Sequence, residues 1–439
     1  MTALERVRDV KPPRELCIGL LGLGTVGAGV YRMIEERADR VAAQTGVRPR
    51  VKRILVNDRK KARPGIDPSL FADRFDDIVA DPEIALVVEV MGGLEPARAY
   101  ALASMAAGKH LVTANKALLA THGEELYKEA RKRRVDLLFE AAVAGGIPII
   151  RALQESLGGD RVVRMQGIIN GTTNYIITRM TRDGLGFDEA LRMAQDEGYA
   201  EADPSSDVDG LDAAYKLAVL SSIGFHARVG VSDVACEGIR ALHREDIAHA
   251  RDLGLTVKLI AEGLDKGDAL ELSVMPTLIP LTHPLASVSD AFNAVLVEGE
   301  WSGELMFYGQ GAGRRPTASA VIADVVRVLK DVRARRVTEA PGTHRARRAV
   351  RRLDDRSTRF YLRLQVADEP GVLATVATIL AREGISLQSV IQKGHSGDDR
   401  VEVIFLTHDA LEKRMQRALD RLRNLEAVRH VAAVLRVRA

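Results

Sequence analysis

The stretch Glu201-Ala-Asp203-Pro-Ser-Ser-Asp207-Val-Asp209-Gly-Leu-Asp212-Ala-Ala-Tyr-Lys216 holds the densest chemistry in the chain. Five carboxylates and one lysine fall within sixteen residues, leading into an apolar run that ends near Ser222. Asp203-Pro204 is a turn signal, and residues 211–222 have the spacing of a helix with an apolar face. Asp212 and Lys216 stand four apart, so a helix puts them on one face within reach of each other. As a solvated surface pair they would contribute only about 0.3–0.5 kcal/mol. Polar groups packed this densely beside an apolar helix also suit a ligand or a cation, and on this pattern alone both readings stay open.

A second site is signalled near the amino terminus. Leu16-Cys-Ile-Gly-Leu-Leu21 is strand-like and runs into Gly22-Leu-Gly24-Thr25-Val26-Gly27, after which Val26, Val30, Met33 and Ile34 keep helical spacing. In that setting a GxGxxG turn points to a dinucleotide. Gly22 permits the tight turn, Gly24 lets the backbone approach a pyrophosphate, and Gly27 lets the helix pack close to the strand. The start of the helix offers free N–H donors to the phosphates. An acidic residue should follow on the second strand, and Asn57-Asp58-Arg59-Lys60-Lys61 supplies Asp58, later than usual because residues 35–50 lengthen the first helix and its loop. The cations beside Asp58 suit a 2′-phosphate instead, so NAD and NADP both remain open.

Other groups are individually weaker. Thr113-Ala-Asn115-Lys116 follows a strand at its carboxyl end, where open α/β sheets bind ligands. Glu140-Ala-Ala-Val143-Ala-Gly145-Gly-Ile147 joins a carboxylate to flexible backbone carbonyls, which suits a hard cation or a hinge. Gly309-Gln-Gly311-Ala-Gly313 is a second glycine loop leading into a helix. The ten histidines show no metal-ligand spacing, and His226, His243 and His249 read as ordinary surface residues.

These groups need elements to position them. Strand-like stretches at residues 51–57, 86–90, 110–113 and 137–140 alternate with helical ones, among them 95–107 and 118–133, which implies a doubly wound parallel sheet over residues 1–144. Residues 145–316 turn to longer helices with β-rich stretches at 161–170 and 269–278. A helix near 317–332 is expected to return to the first domain. Residues 333–358 are arginine-rich and read as a linker with a solvated basic helix. Residues 359–439 then give the order β-α-β-β-α-β, the ferredoxin-like unit.

Composition excludes several classes. Lys+Arg 63 against Asp+Glu 60 leaves a net charge of +3, too balanced for a chain-wide polyanion binder. Aromatics at 4% argue against rows of base-stacking platforms. Two cysteines, Cys17 and Cys236, make neither a disulfide framework nor a four-ligand zinc site. The charged residues 1–14 lack the apolar core of a signal peptide, and residues 17–30 are too short to span a bilayer, so a cytoplasmic protein with no membrane contact is expected.

Taken together, the motifs resemble homoserine dehydrogenase from Gly22 onward. The most specific piece is Asp203-Pro-x-x-Asp207-Val-x-Gly210-x-Asp212-x-x-x-Lys216, preceded by Gly198-Tyr199-Ala-Glu201. Asn170-Gly171-Thr172-Thr-Asn174-Tyr175, Thr113-Ala-Asn-Lys116 and the second glycine loop stand where that family has them. The resemblance implies NAD- or NADP-dependent interconversion of L-homoserine and L-aspartate 4-semialdehyde. It implies Lys216 and Lys116 as catalytic lysines, Asp212 as the partner of Lys216, and a substrate pocket of Glu201, Asp207, Tyr199, Thr172 and Gly171. Cofactor contacts would fall on Gly22, Gly24, Thr25, Val26, Gly27, Asn57, Asp58, Arg59, Gly92, Gly93, Thr113, Lys116, Gly311 and Gly313. A monovalent cation, commonly sodium, would take the Glu140 carboxylate and the carbonyls of Val143, Gly145 and Ile147.

The last unit resembles an ACT domain through Asp368-x-Pro-Gly371-Val372-Leu373, Gly384-Ile-Ser386 and Gln392. Threonine is then the expected effector, and a homodimer or homotetramer the expected assembly. Asn57 stands where the family often has an arginine for the 2′-phosphate, which favours NAD. Gln310 replaces a usual proline, and Trp301 stands where small residues are common. Two rivals fare worse. A non-catalytic sensor on a dehydrogenase scaffold would lack Lys116, Asp212 or Lys216. A nucleic-acid binder working through residues 345–352 would need a helix-turn-helix or interleaved aromatics.

Overall fold

The computed structural model describes residues 14–337, 347–394 and 400–438; the charged amino-terminal residues 1–13 and part of the arginine-rich segment, 338–346, lie outside the described residues. Two compact units emerge. One is drawn from residues up to 161, from 218–231 and from 309–347, the other from 162–217, 232–308 and 348–439.

The first unit is built on a six-stranded sheet of β1 (Arg14–Leu21), β2 (Val47–Leu55), β3 (Phe71–Ala72), β4 (Ile84–Glu89), β5 (His110–Thr113) and β6 (Leu137–Leu138). Their spatial order is β3-β2-β1-β4-β5-β6, with every pair parallel. The order reverses between β1 and β4, the crevice where doubly wound sheets bind ligands. Parallel strands need crossovers, supplied by the helices Thr25–Thr45, Ala97–Ala106 and Lys116–Arg133. Covered on both faces, β1 is apolar and buried from Leu16 onward, and Ile18, Leu20 and Leu21 are fully buried. The helix Arg314–Ala334 packs on Thr25–Thr45 so closely that a Cβ on Gly29 would sit 2.8 Å from the Arg314 carbonyl oxygen.

The second unit is organised by an eleven-stranded sheet. Its strands are β7 (Val162–Ile168), β8 (Ala235–Cys236), β9 (Leu255–Asp265), β10 (Leu270–Pro280), β11 (Phe292–Gly299), β12 (Gly303–Gln310), β13 (Ser357–Ala367), β14 (Leu387–Gly394), β15 (Arg400–Thr407), β16 (Ala410–Leu411) and β17 (Val428–Val437). The main path runs β12-β11-β7-β9-β10-β17-β13-β15-β14, with β8 on β10 and β16 on β13. Residues 255–265 were not singled out as a strand. Eight consecutive residues of β9, from Thr256 to Gly263, are buried, so the run shows no alternation to tell strand from helix.

The ferredoxin-like order is present as β13, helix Val372–Arg382, β14, β15, helix Glu412–Arg423 and β17. This module does not hang from a linker. β17 pairs in parallel with β10, Thr277 facing Arg436 and Leu278 facing Val437, and the Arg438 N–H donates to the Leu278 carbonyl at 2.8 Å.

The basic helix expected before the module does not form in its described residues. Val350 bridges Leu270 as extended chain, because the arginines there have acidic partners on the sheet. Arg348 pairs with Asp265 at 2.6 Å and Arg351 with Glu271 at 2.9 Å, while Arg356 is buried and donates to the Leu272 carbonyl.

A second set of charges ties the module to the helix Arg244–Asp252. Asp246 is fully buried and accepts from Arg363 at 2.7 and 3.0 Å and from the Tyr361 hydroxyl at 3.0 Å. Arg363 also reaches Glu402 at 2.7 Å, Glu402 meets His249 at 3.3 Å, and Lys393 pairs with Asp252 at 2.7 Å. His249 is therefore a member of an ionic network rather than the surface residue expected of it.

Candidate functional site

In the first unit the glycine turn closes as its spacing requires. Gly22 has φ +98°, a conformation that a side chain would strain, and its N–H donates to the Leu55 carbonyl at 3.1 Å. A Cβ on Gly27 would lie 2.2 Å from the Gly22 carbonyl oxygen, whereas one on Gly24 would meet nothing within 4 Å. Gly24 therefore leaves open backbone for a ligand. The first turn of Thr25–Thr45 carries no side-chain cap, so the N–H groups of Thr25, Val26 and Gly27 face the approach to Gly24.

Asn57, Asp58 and Arg59 are exposed beyond β2, and the Asp58 carboxylate accepts from the Lys60 N–H at 2.8 Å. Gly92 and Gly93 lie beyond β4, and a Cβ on either would meet nothing within 4 Å. What fixes that loop is not legible in the residues alone. Glu89, fully buried, accepts from the Met91 N–H at 2.8 Å and the Thr113 hydroxyl at 2.5 Å. Asn115 caps the helix Lys116–Arg133 through the Leu118 N–H and donates to the Gly93 carbonyl at 2.7 Å. Lys116 thus begins a helix whose start is bound to the 91–93 loop.

Glu140 is buried, and its two oxygens accept from the N–H groups of Ile150 and Arg151 at 2.8 and 2.9 Å. Burial raises its carboxyl above the ordinary range. Its own N–H donates to Asp324, whose carboxyl burial and the neighbouring Glu140 push up to about 7. Gly145 packs on the second glycine loop, where a Cβ would lie 2.4 Å from the Gly311 carbonyl oxygen, and Gly313 begins the helix Arg314–Ala334. The Ile147 carbonyl already accepts from the Ile149 N–H. Val143 is fully buried beside this loop.

In the second unit the acidic motif separates by role. Asp203 caps the Ser205 N–H, Asp209 pairs with Arg240, and Glu201 is exposed. Asp207 and Asp212 converge on Asn170, whose Nδ2 donates to them at 2.7 and 2.9 Å. The Thr172 hydroxyl lies 3.0 Å from Asp207 and 2.8 Å from the Tyr199 carbonyl, and Tyr199 stacks on Tyr175 at 4.7 Å. Gly171 follows Asn170 as the first residue of the helix Gly171–Asp183.

Lys216 donates to Asp212 at 2.6 Å and to the Ile169 carbonyl at 2.8 Å. Among the described residues its third ammonium N–H has no partner, so one proton of a buried, oriented cation is left for a ligand. Asn170 is the hub that sequence reading missed, because a lone asparagine at a strand end signals only a helix cap.

A buried clamp holds this motif from behind, also unannounced. Asn174 Nδ2 donates to the carbonyls of Asp290 and Phe292 at 2.9 and 3.2 Å, and Lys258 donates to the Val288 carbonyl at 2.5 Å. Burial, helped by Arg182, pushes the Lys258 ammonium down to about 8. The unfolded amine titrates at about 10.4, so the unfolded chain binds more protons between these values. The cost of charging Lys258 is therefore full below pH 8 and fades as the pH rises toward 10. Lys258→Met is expected to remove that part of the rise in stability between pH 8 and 10, read as the difference in urea midpoints from the parent chain.

In the ACT-like module, Gly371 begins the helix Val372–Arg382 at φ +92°, and a Cβ there would meet nothing within 4 Å. Asp368, Leu373 and Gln392 are exposed, and Val372 is buried.

Three family models match the chain: the homoserine dehydrogenase NAD-binding domain over residues 22–140, homoserine dehydrogenase over 148–326 and the ACT domain over 360–427. A homoserine dehydrogenase of Synechocystis sp. is 47% identical over 430 residues, covering 96% of this chain and 99% of the relative. The crystal structure of a homoserine dehydrogenase from Thiobacillus denitrificans matches with a TM-score of 0.91 at 42% identity, covering 97% of this chain and 98% of that one. A hyperthermophilic archaeal homoserine dehydrogenase in complex with NADPH matches with a TM-score of 0.61 at 27% identity, covering 72% of this chain and 97% of its own. No helix among the described residues is long and apolar enough to cross a membrane. With the glycine turn, the lysine–carboxylate cluster and the carboxyl-terminal module all accounted for by these matches, the chain belongs to the homoserine dehydrogenase family.

Proposed function

We propose that Lys216 is the proton-transferring group of this NAD(P)-dependent oxidoreductase and that Asp207, Asp212, Asn170 and Thr172 form its substrate pocket. The reaction, interconversion of L-homoserine and L-aspartate 4-semialdehyde, follows from the family. A nicotinamide dinucleotide held at the glycine turn would supply or take up the hydride. The residues around Gly24 fit such a cofactor, since the backbone there is open and the helix start holds uncapped N–H groups. In the reducing direction Lys216 donates a proton to the alkoxide oxygen that develops on the former aldehyde, and in the oxidising direction it takes that proton back. Asp212 keeps the amine aimed, and Asp207 draws the substrate ammonium. Glu201 and Tyr199 are further substrate contacts, and Lys116 is the second lysine that acts on the substrate. The observation that carries this reading is the convergence of Asn170, Asp207, Asp212 and Lys216. The test is homoserine-dependent appearance of reduced nicotinamide, with NAD⁺ and NADP⁺ in parallel; a folded protein without turnover on either would end it.

Asn57 and Asp58 favour NAD, since the exposed Asp58 carboxylate can take the ribose hydroxyls and Asn57 adds no charge for a 2′-phosphate. Asn57→Arg should raise the NADP⁺/NAD⁺ ratio of kcat/KM about tenfold, the worth of one charge-assisted hydrogen bond. The domains are read as 1–144 with the helix near 317–332 for cofactor, 145–316 for substrate and subunit contacts, 333–358 as connection, and 359–439 for regulation. Threonine is the proposed effector, held around Asp368, Gly371, Val372, Leu373 and Gln392 in a homodimer or homotetramer. Unchanged activity and melting temperature at saturating threonine would remove it. The buried Glu140 carboxylate, with the carbonyls of Val143, Gly145 and Ile147 as further oxygen donors, suits a sodium ion. Equal activity in sodium and in bulky organic cations would dispose of the ion.

A further inference from the structure

The central strand β4 ends on a carboxylate. Glu89 is 0% exposed, follows the fully buried Leu86, Val87 and Val88, and pairs in the sheet with Leu21 of β1 and Thr113 of β5. Its donors are neutral: the N–H groups of Met91 and Gly92 at 2.8 and 3.3 Å on Oε1, and the Thr113 hydroxyl at 2.5 Å on Oε2. A valine would fill such a place without the cost of desolvating a charge. What the carboxylate does that a valine could not is to gather these three donors.

The hydrogen bonds continue from Thr113 into a closed ring. Thr113 Oγ1 accepts from the Asn115 N–H at 3.0 Å. Asn115 Nδ2 donates to the Gly93 carbonyl at 2.7 Å, while its Oδ1 takes the Leu118 N–H at 3.1 Å. The ring thus joins the loop 91–93 to the first turn of the helix that starts at Lys116. Gly92 and Gly93 stand at φ +76° and +74°, so this loop has little stiffness of its own. It also abuts the glycine turn, since a Cβ on Gly22 would lie 3.1 Å from Met91 Cγ.

We infer that Glu89 is a positioning residue for the reaction: through this ring it holds the loop 91–93 beside the glycine turn and sets where the Lys116 helix begins. Being fully buried, it acts through the residues that it holds and not by touching a ligand. A satisfied buried network is stiff, and a misplacement of about 1 Å in a reacting group costs about 10²-fold in rate. The inference rests on the proposed action of Lys116 on the substrate.

The test uses the full chain. Glu89→Met keeps the length of the side chain and removes the carboxylate acceptors. Glu89→Gln keeps an acceptor for the Met91 N–H and donates to Thr113 Oγ1, which preserves the ring without the charge. Three quantities are measured for each variant, alone and combined with Lys116→Ala. They are the homoserine kcat/KM at saturating dinucleotide, the calorimetric Kd of the preferred oxidised dinucleotide, and the ligand-free melting temperature. Glu89→Met should lower kcat/KM about 10²-fold and raise the Kd about tenfold. Glu89→Gln should stay within about threefold of the parent in both. On top of Lys116→Ala, Glu89→Met should cost less than about threefold more in kcat/KM, because residues that act through one another do not add. An equal loss with and without Lys116, a Glu89→Gln as impaired as Glu89→Met, or parent-like values in Glu89→Met would overturn the assignment; the first would leave Glu89 a structural acid. If Glu89→Met does not fold, Asn115→Ser makes the same test, since serine keeps the helix cap and is too short for the Gly93 carbonyl. It should lower kcat/KM about tenfold in the parent and little beyond Lys116→Ala, and an additive loss there would also overturn the assignment. A parent chain that does not turn over homoserine would end the functional reading and this assignment with it, whereas any of the contrary results in an active parent would sink the assignment alone.

Discussion

Lys216→Ala is expected to lower kcat for homoserine oxidation by about 10²–10⁴, the usual worth of a positioned acid–base group. The lysine is buried, oriented by two short hydrogen bonds, and retains one N–H. Removing it also takes a 2.6 Å charge-assisted hydrogen bond from the buried Asp212, so some stability is lost as well. The pair Asp212→Asn/Lys216→Met separates the two effects. It removes both charges of the pair and should regain much of the melting temperature without regaining turnover. Lys116→Ala provides the contrast, with the larger effect expected on the homoserine KM. Near-normal kcat in Lys216→Ala together with its loss in Lys116→Ala would move proton transfer to Lys116.

The second large effect concerns the join between the ACT-like module and the helix Arg244–Asp252. Arg363→Leu should destabilise the second unit by about 3–5 kcal/mol, because it strands Asp246 as a buried, unpaired charge. Asp246 is 0% and Arg363 3% exposed, so water does not screen them. The Tyr361 hydroxyl alone would remain to Asp246, and one neutral hydrogen bond does not replace two from a guanidinium. The double variant Asp246→Leu/Arg363→Leu should regain most of the loss, since apolar replacement of a whole buried pair is often neutral or stabilising. Urea unfolding measures both. A loss under about 1 kcal/mol for the single variant would show that the pair is worth no more than a surface one.

Local order was largely legible in the residues. The glycine turn announced itself because Gly22 and Gly27 answer purely local demands, a positive φ and a close approach. The β-α-β-β-α-β order of the last unit was equally plain, each element being short, amphipathic and bounded by turns. Within the acidic motif the spacing of Asp212 and Lys216 sufficed to pair them. It could not reveal that Asp203 and Asp209 serve the backbone and Arg240, because carboxylates of one type diverge only once the chain has turned around them. Asn170, Lys258 and Glu89 were hidden for a related reason: their partners lie on other elements. The arginines before β13 misled, since a run of cations looks solvated until the acids of β9 and β10 stand beside it.

The pairing of β17 with β10 bears on how the protein is made. Thr277 and Arg436 are neighbours in the sheet, yet about 160 residues of chain must be synthesised between them. β10 therefore waits with one side partly open until β17 arrives, a contact of high sequence separation that forms slowly and leaves the nascent chain dependent on its own last strand. A ribosome that stops before Val428 releases a product with the flanks of both β10 and β13 uncovered, and such paired edges invite association between chains rather than completion within one.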